Sequence, residues 1–302
     1  MAPWVIATIA AAFLQNLRFM LQKHLRATRL STAGATFARF VWGAPLAALM
    51  LAGLVLWKGA PPLPTAEFWW MGVAGGIAQI LATMCVVALF QMRAFTVGIT
   101  LKKTETIQTA ALGFVVLGET VSGAALAAIL LGVLGVIVLS DPPTPQPGTP
   151  WRRRIFNRGA GLGLASGALF AVSATGYRGA SLAVASDDAI LRAAVTLAYV
   201  TATQAVLMAL WLAWRERGEI ARVLAAWRVT ALVGLVSALG SLCWFTAFTL
   251  ERAALVKAVG QVELVFTFLA SWLVFRERST GREIAGILLV VASVLWLLAA
   301  TH

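Results

Sequence analysis

Charge is what this sequence has least of. Only 12% of its 302 residues are charged and only 12 residues are acidic, whereas soluble domains average about 25% charged. That deficit excludes an ordinary soluble globular chain. Histidine is nearly missing, with two copies, His24 and His302, each at the edge of an apolar segment. Neither His-Glu-x-x-His nor Gly-x-Ser-x-Gly occurs, so the common zinc-hydrolase and serine-hydrolase constellations are excluded. The two cysteines, Cys85 and Cys243, both lie inside apolar segments and cannot supply a disulfide framework. No Gly-x-x-x-x-Gly-Lys-Ser/Thr is present, which removes direct ATP drive within this chain. The amino terminus has no basic region of a signal peptide; Lys23, Arg26 and Arg29 follow the first apolar run instead, the pattern of an uncleaved first span.

What is present is apolar sequence of helical length, repeated. Hydrophobic residues make up 60% of the chain, and the mean hydropathy is +0.87. The runs are far longer than the alternating ten-residue segments of an outer-membrane barrel. The expected class is therefore an all-α integral membrane protein with ten transmembrane helices. They fall at about 3–22, 34–57, 68–91, 96–117, 121–139, 159–178, 189–214, 229–250, 254–275 and 281–300. One long linker, 141–158, holds Pro142, Pro143, Pro145, Pro147 and Pro150 before Arg152, Arg153 and Arg154; proline at that density keeps it extended. It divides the chain into a first five-helix unit, 1–140, and a second, 159–302.

The net charge of +12 points to orientation rather than to nucleic acid, since no soluble basic module exists to bind it. Fifteen Lys and Arg fall in the loops after spans 1, 3, 5, 7 and 9, against Lys58, Arg178 and Arg252 in the alternate set. By the positive-inside rule both termini are outside and the proline linker is cytoplasmic. Shifting the sequence on itself by 158 residues aligns Gly76 with Gly234, Cys85 with Cys243, Glu105 with Glu263, Thr109 with Thr267, Glu119 with Glu277 and Gly123 with Gly281. Two acid pairs are a costly coincidence among 12 acids, so the chain is read as an internal duplication. An odd number of spans per copy inserts the second copy upside down, giving two inverted five-helix repeats around a central cavity.

The stretch Leu101-Lys-Lys-Thr-Glu-Thr-Ile-Gln-Thr-Ala110 is the strangest in the chain. A Lys or acid at mid-span costs about 2.5–3.5 kcal/mol on insertion scales, so Lys102, Lys103 and Glu105 together cost roughly 8 kcal/mol or more on a lipid-facing helix. They must pair or line a wet interior. Glu105 and Glu263 each fall about two residues from the middle of their span, within roughly 3 Å of the bilayer centre. Lys102, at i−3 from Glu105, is close enough to pair with it on one helical face. The double lysine has no twin, because Gly260 and Gln261 stand opposite it in the second copy.

Gly118-Glu119-Thr120-Val121-Ser122-Gly123, followed by an apolar helix, resembles the end of an EamA-type domain, and Phe275-Arg-Glu-Arg-Ser-Thr-Gly281 resembles it again. Two such copies over the whole chain are similar to the drug/metabolite transporter superfamily. The resemblance implies an inverted five-plus-five bundle with spans 4 and 9 lining the cavity. It also implies a substrate among amino acids, vitamins, drugs, other metabolites, or the sugar phosphates and nucleotide sugars of more distant relatives. Where the family usually has a mid-helix proline, this chain has Ile107 and Val265.

The expected function is secondary-active transport of a small polar or amphipathic organic metabolite, by alternating access coupled to protons or to solute exchange. The chain is not expected to be an enzyme or to need a cofactor or metal; the alternatives are a membrane-embedded enzyme acting on a lipid-linked substrate, and a passive channel. Its partners are the solute and the lipids of the cell (inner) membrane, with monomer and homodimer both open. Candidate substrate residues are Lys102, Lys103, Gln15, Asn16, Gln79, Gln261 and Arg39, whose cations favour a carboxylate or phosphate; Glu105 and Glu263 are the candidate coupling acids. Plainer roles compete at several positions: snorkelling for Lys257 and for Arg18 and Arg39, two arginines that an anion-binding pair would also use, packing or interface anchoring for Trp42, Trp244 and Tyr177, and a helix-dipole role for Glu119 and Glu277. Gly159, Gly161, Gly163 and Gly167 open a span with no preceding strand, so they serve close helix packing rather than a dinucleotide.

Overall fold

A computed structural model describes residues 2–27, 30–59, 61, 63–89, 101–140, 158–273 and 281–300. The linker residues 141–157, the segment 90–100 and Glu277 lie outside the described residues. The described chain is helical from end to end: α1 Pro3–Ala27, α2 Thr32–Lys58, α3 Ala66–Leu89, α4 Glu105–Leu117, α5 Gly123–Ser140, α6 Arg158–Leu182, α7 Ala189–Arg215, α8 Glu219–Ala225, α9 Trp227–Leu250, α10 Ala253–Val259, α11 Glu263–Leu273 and α12 Gly281–Ala300. Among the described residues, seven helices are long and apolar enough to cross a membrane, and two shorter apolar ones run from Glu105 to Leu117 and from Gly123 to Val138. The outer surface is apolar, with Leu56 89% and Val115 77% exposed, a coat suited to lipid rather than water. Trp57, Trp214 and Trp227 are exposed near helix ends, each beside a cation, Lys58, Arg215 and Arg228, as interface anchors are.

The expected continuous spans 4 and 9 are not continuous. Leu101 and Lys102 are helical, Lys103 and Thr104 form a turn, and α4 begins at Glu105. In the second half α10 stops at Val259, a 3-10 turn covers Gly260–Val262, and α11 begins at Glu263. The two helix starts are therefore 158 residues apart, as are those of α5 and α12 at Gly123 and Gly281. Local hydrogen bonding explains the first break. The Leu101 carbonyl accepts both the Thr104 N–H at 3.2 Å and the Thr104 hydroxyl at 2.7 Å, a side-chain competition that releases the backbone from the helical ladder. Gly167 lets α6 lie against this break, for a Cβ there would stand 2.9 Å from the Lys102 carbonyl oxygen. Gly161, by contrast, faces open space, so the close-packing expectation does not hold for it.

The packing of the two halves is reciprocal. α3 lies on α6 and α9 on α1; α2 meets α9 and α7 meets α3; α5 and α12 pack on each other, as do α2 and α7. Helix ends are fixed by specific contacts. Gly118, at φ 66°, ends α4 in the left-handed region, with its own N–H on the Phe114 carbonyl and the Glu119 N–H on the Gly113 carbonyl. The glycine's bond to the carbonyl four residues back is that of a left-handed C-terminal cap, which favours glycine. It turns Glu119 toward Arg178 of α6, with which it pairs, while Arg178 Nη1 donates at 2.6 Å to the carbonyls of Phe248 and Glu251. Glu119 thus ties three helices together, beyond the dipole role expected of it.

Between the expected spans 189–214 and 229–250 the chain forms the short helix α8, and Glu219 of α8 is fully buried. Its Oε1 accepts the Ser31 N–H at 2.6 Å, just ahead of α2, and Arg222 pairs with it from the next turn. Glu219→Ala is expected to destabilise the protein by about 1–3 kcal/mol, the cost of an unsatisfied buried donor. Chemical unfolding in detergent measures this, and an unchanged midpoint would contradict the anchoring role.

Candidate functional site

The two helix breaks meet at the centre and exchange partners. Lys103 Nζ of the first half lies 3.0 Å from Glu263 Oε2 of the second, and Lys257 Nζ of the second lies 3.6 Å from Glu105 Oε1 of the first. Gln261 Nε2 crosses in the same way, donating to Thr106 Oγ1 at 3.1 Å. The expected i−3 pairing of Lys102 with Glu105 is replaced: the helix is broken between them, so they no longer share one face, and Glu105 finds its cation on α10. Lys102 is buried and rests over the rings of Phe19 and Phe170, at 5.2 and 5.1 Å, a cation–π environment. Lys257 is buried as well and does not reach for an interface, contrary to the snorkelling reading.

Beside the crossed pairs lies a narrow cavity between α1, α2, α3, α6, α9 and α10. Of the candidate substrate residues, Gln15, Gln79 and Arg39 line it. Asn16 is half-buried on α1 and, with Lys102, Lys103 and Gln261, is not part of the lining. Two lining residues also reach the central acids: Gln15 Nε2 donates to Glu263 Oε2 at 3.0 Å, and Lys257 is the partner of Glu105. Each acid is therefore one side chain removed from the cavity. The floor is a hydrogen-bonded cluster in which Gln79 Oε1 accepts the Tyr177 hydroxyl at 2.9 Å and Gln204 Nε2 at 3.1 Å.

Arg18 and Arg39 are the largest departure from expectation. Snorkelling is the expectation for both, with an anion-binding pair as the alternative and Arg39 also a candidate substrate residue, and the structure goes against snorkelling: they are 3% and 6% exposed and both line the cavity. Arg39 Nη2 donates to Ser241 Oγ at 3.1 Å, while one Nη1 on each arginine has no hydrogen-bond partner. A sequence signal for Arg18 existed, since it stands three residues after Gln15 and hence on the same helix face. Trp244 and Tyr177 also line the cavity, each stacked on a phenylalanine: Trp244 on Phe248 with centroids 5.5 Å apart, and Tyr177 on Phe245 at 4.5 Å.

Comparison with known proteins agrees with this architecture. A solved crystal structure, described only as "Crystal structure of protein", is 14% identical, covers 99% of this chain and 98% of its own, and superimposes with a TM-score of 0.70; at that identity the likeness concerns the fold. No curated protein matches the chain. The model of the EamA-like transporter family matches twice, over residues 2–141 and 157–299. Those two matches flank the proline linker and take in both helix breaks, and on them the chain belongs to the EamA-like transporter family.

Proposed function

We propose that this protein is a secondary-active transporter of a small polar or amphipathic organic metabolite, working by alternating access. Ten spans form two inverted five-helix repeats, with both termini outside the cell membrane and the proline linker in the cytoplasm. The reciprocal helix packing and the matched breaks support the inversion, and the fifteen-to-three distribution of loop cations supports the orientation.

The observation that carries the mechanism is the link between acids and cavity. Gln15 and Lys257 line the cavity and hold Glu263 and Glu105 respectively. A solute that moves either residue changes the surroundings of a central acid, and protonating an acid loosens a contact that crosses between the halves. At an effective dielectric of about 20, opposite charges 3.0 Å apart attract by about 5.5 kcal/mol before desolvation is counted. A two-state equilibrium inverts from 1:99 to 99:1 for about 5.5 kcal/mol, so one protonation, less the desolvation it relieves, supplies part of that lever.

The test is solute flux in proteoliposomes containing the purified protein, with and without a pH gradient or a trapped counter-solute. A panel of organic anions, cations and neutral solutes is expected to reveal saturable uptake above empty vesicles. Glu105→Gln and Glu263→Gln are each expected to slow it at least tenfold. Normal flux in both variants at every pH would remove the acids from the mechanism, and absence of flux for every solute class would reject transport.

A further inference from the structure

The proposed reading leaves the solute's chemistry open, and the cavity wall narrows it. Its unpartnered polar atoms are Arg18 Nη1, Arg39 Nη1, Trp244 Nε1 and Ser237 Oγ. The first three can only donate, and the serine hydroxyl can donate as well. Of the lining acceptors, Gln79 Oε1 already holds both Tyr177 and Gln204. No carboxylate is among the lining residues; the third cation there, Lys257, is matched by Glu105. Two buried guanidinium groups thus face a space with donors in excess and no lining counter-charge. Buried cations without a paired anion are costly, and buried donors are nearly always satisfied. The stacked pairs Trp244–Phe248 and Tyr177–Phe245 form the other part of the wall, a flat apolar surface.

We infer that the cavity binds an organic oxyanion, a carboxylate or phosphate ester with a flat or apolar body, its charged oxygens held by Arg18 and Arg39 and its body laid against the aromatic pairs. Planar guanidinium forks match such oxygens bidentately. An ammonium group would meet two like charges at the same place, so amines are rejected. This deepens the transport reading and rests on it only for turnover; binding stands without it.

The experiment is calorimetric titration of the detergent-purified full chain with benzoate, phenyl phosphate, inorganic phosphate, benzamide and benzylamine. At least one aromatic oxyanion is expected to bind saturably, more tightly than inorganic phosphate, and at least tenfold more tightly than benzamide or benzylamine. Arg18→Met and Arg39→Met are each expected to lose at least tenfold in affinity. The empty Arg18→Met protein should melt no lower than wild type, because the substitution removes a buried charge that makes no ion pair among the described residues. Trp244→Phe, which deletes one donor and keeps an aromatic ring, should lose affinity severalfold, and it serves if an arginine variant fails to fold. Preference for inorganic phosphate overturns the role of the aromatic wall. Equal binding of the amide or amine, or no oxyanion binding at all, overturns the inference. Binding without flux in vesicles would count against transport alone, and flux confined to amines would count against the oxyanion alone.

Discussion

Lys103→Met is expected to destabilise the protein by about 3–5 kcal/mol, the usual cost of leaving one member of a buried ion pair alone. Lys103 is 4% exposed and lies 3.0 Å from Glu263, whose side chain is 12% exposed. Gln15 also donates to that carboxylate, but an amide cannot neutralise it. The double variant Lys103→Met/Glu263→Gln should recover most of the loss, since no charge is then stranded. Lys257→Met is expected to cost less than Lys103→Met, because its pair is longer at 3.6 Å and Glu105 Oε2 already lacks a hydrogen-bond partner. Denaturant unfolding in detergent of wild type, Lys103→Met, Glu263→Gln and the double variant gives the coupling directly. If the single and double variants were equally unstable, the crossed contact would not be an energetic unit.

The second large effect is expected at Gly167. A Cβ there would meet the Lys102 carbonyl oxygen at 2.9 Å and the Glu105 N at 3.4 Å, both backbone atoms that cannot rotate away. Gly167→Ala should cost about 1–3 kcal/mol, as overpacking in a tight interior does, and Gly167→Leu should cost more and push α6 off the break. Since α6 also carries Phe170, Ser173 and Tyr177 into the cavity, solute affinity is expected to fall with stability. Gly161→Leu is the control: its Cβ meets nothing within 4 Å, so stability and binding should stay near wild type. Melting and calorimetric titration separate the two positions, and equal damage at Gly161 would argue against close approach as the cause.

Much of the scaffold is legible in one dimension because it depends on quantities a sequence carries directly. Apolar run length sets the helices, and a fixed offset of 158 reveals the duplication before any packing is known. The cluster Lys102 to Thr109 announces itself by insertion cost, and the break that follows from it has a local cause in Thr104. Gly118 is readable too, since a left-handed helix ending asks for glycine. Neither break is in the expected spans, both continuous; Thr104 is a local signal for the first, and Gly260-Gln261-Val262 has no charge run to mark the second.

What the sequence by itself determined, then, is that this chain is helical and apolar, built of two related halves, with acids buried at matched positions. The tertiary structure alone decided the partners. Which lysine meets which acid depends on how two broken helices approach each other across roughly 150 residues of chain, and hydrophobic periodicity holds no record of that. The same is true of Arg18 and Arg39, which stand toward the ends of the expected spans, where a long cation can reach water. Only the convergence of α1, α2 and α9 buries them side by side and makes two ordinary arginines the charged wall of a binding cavity.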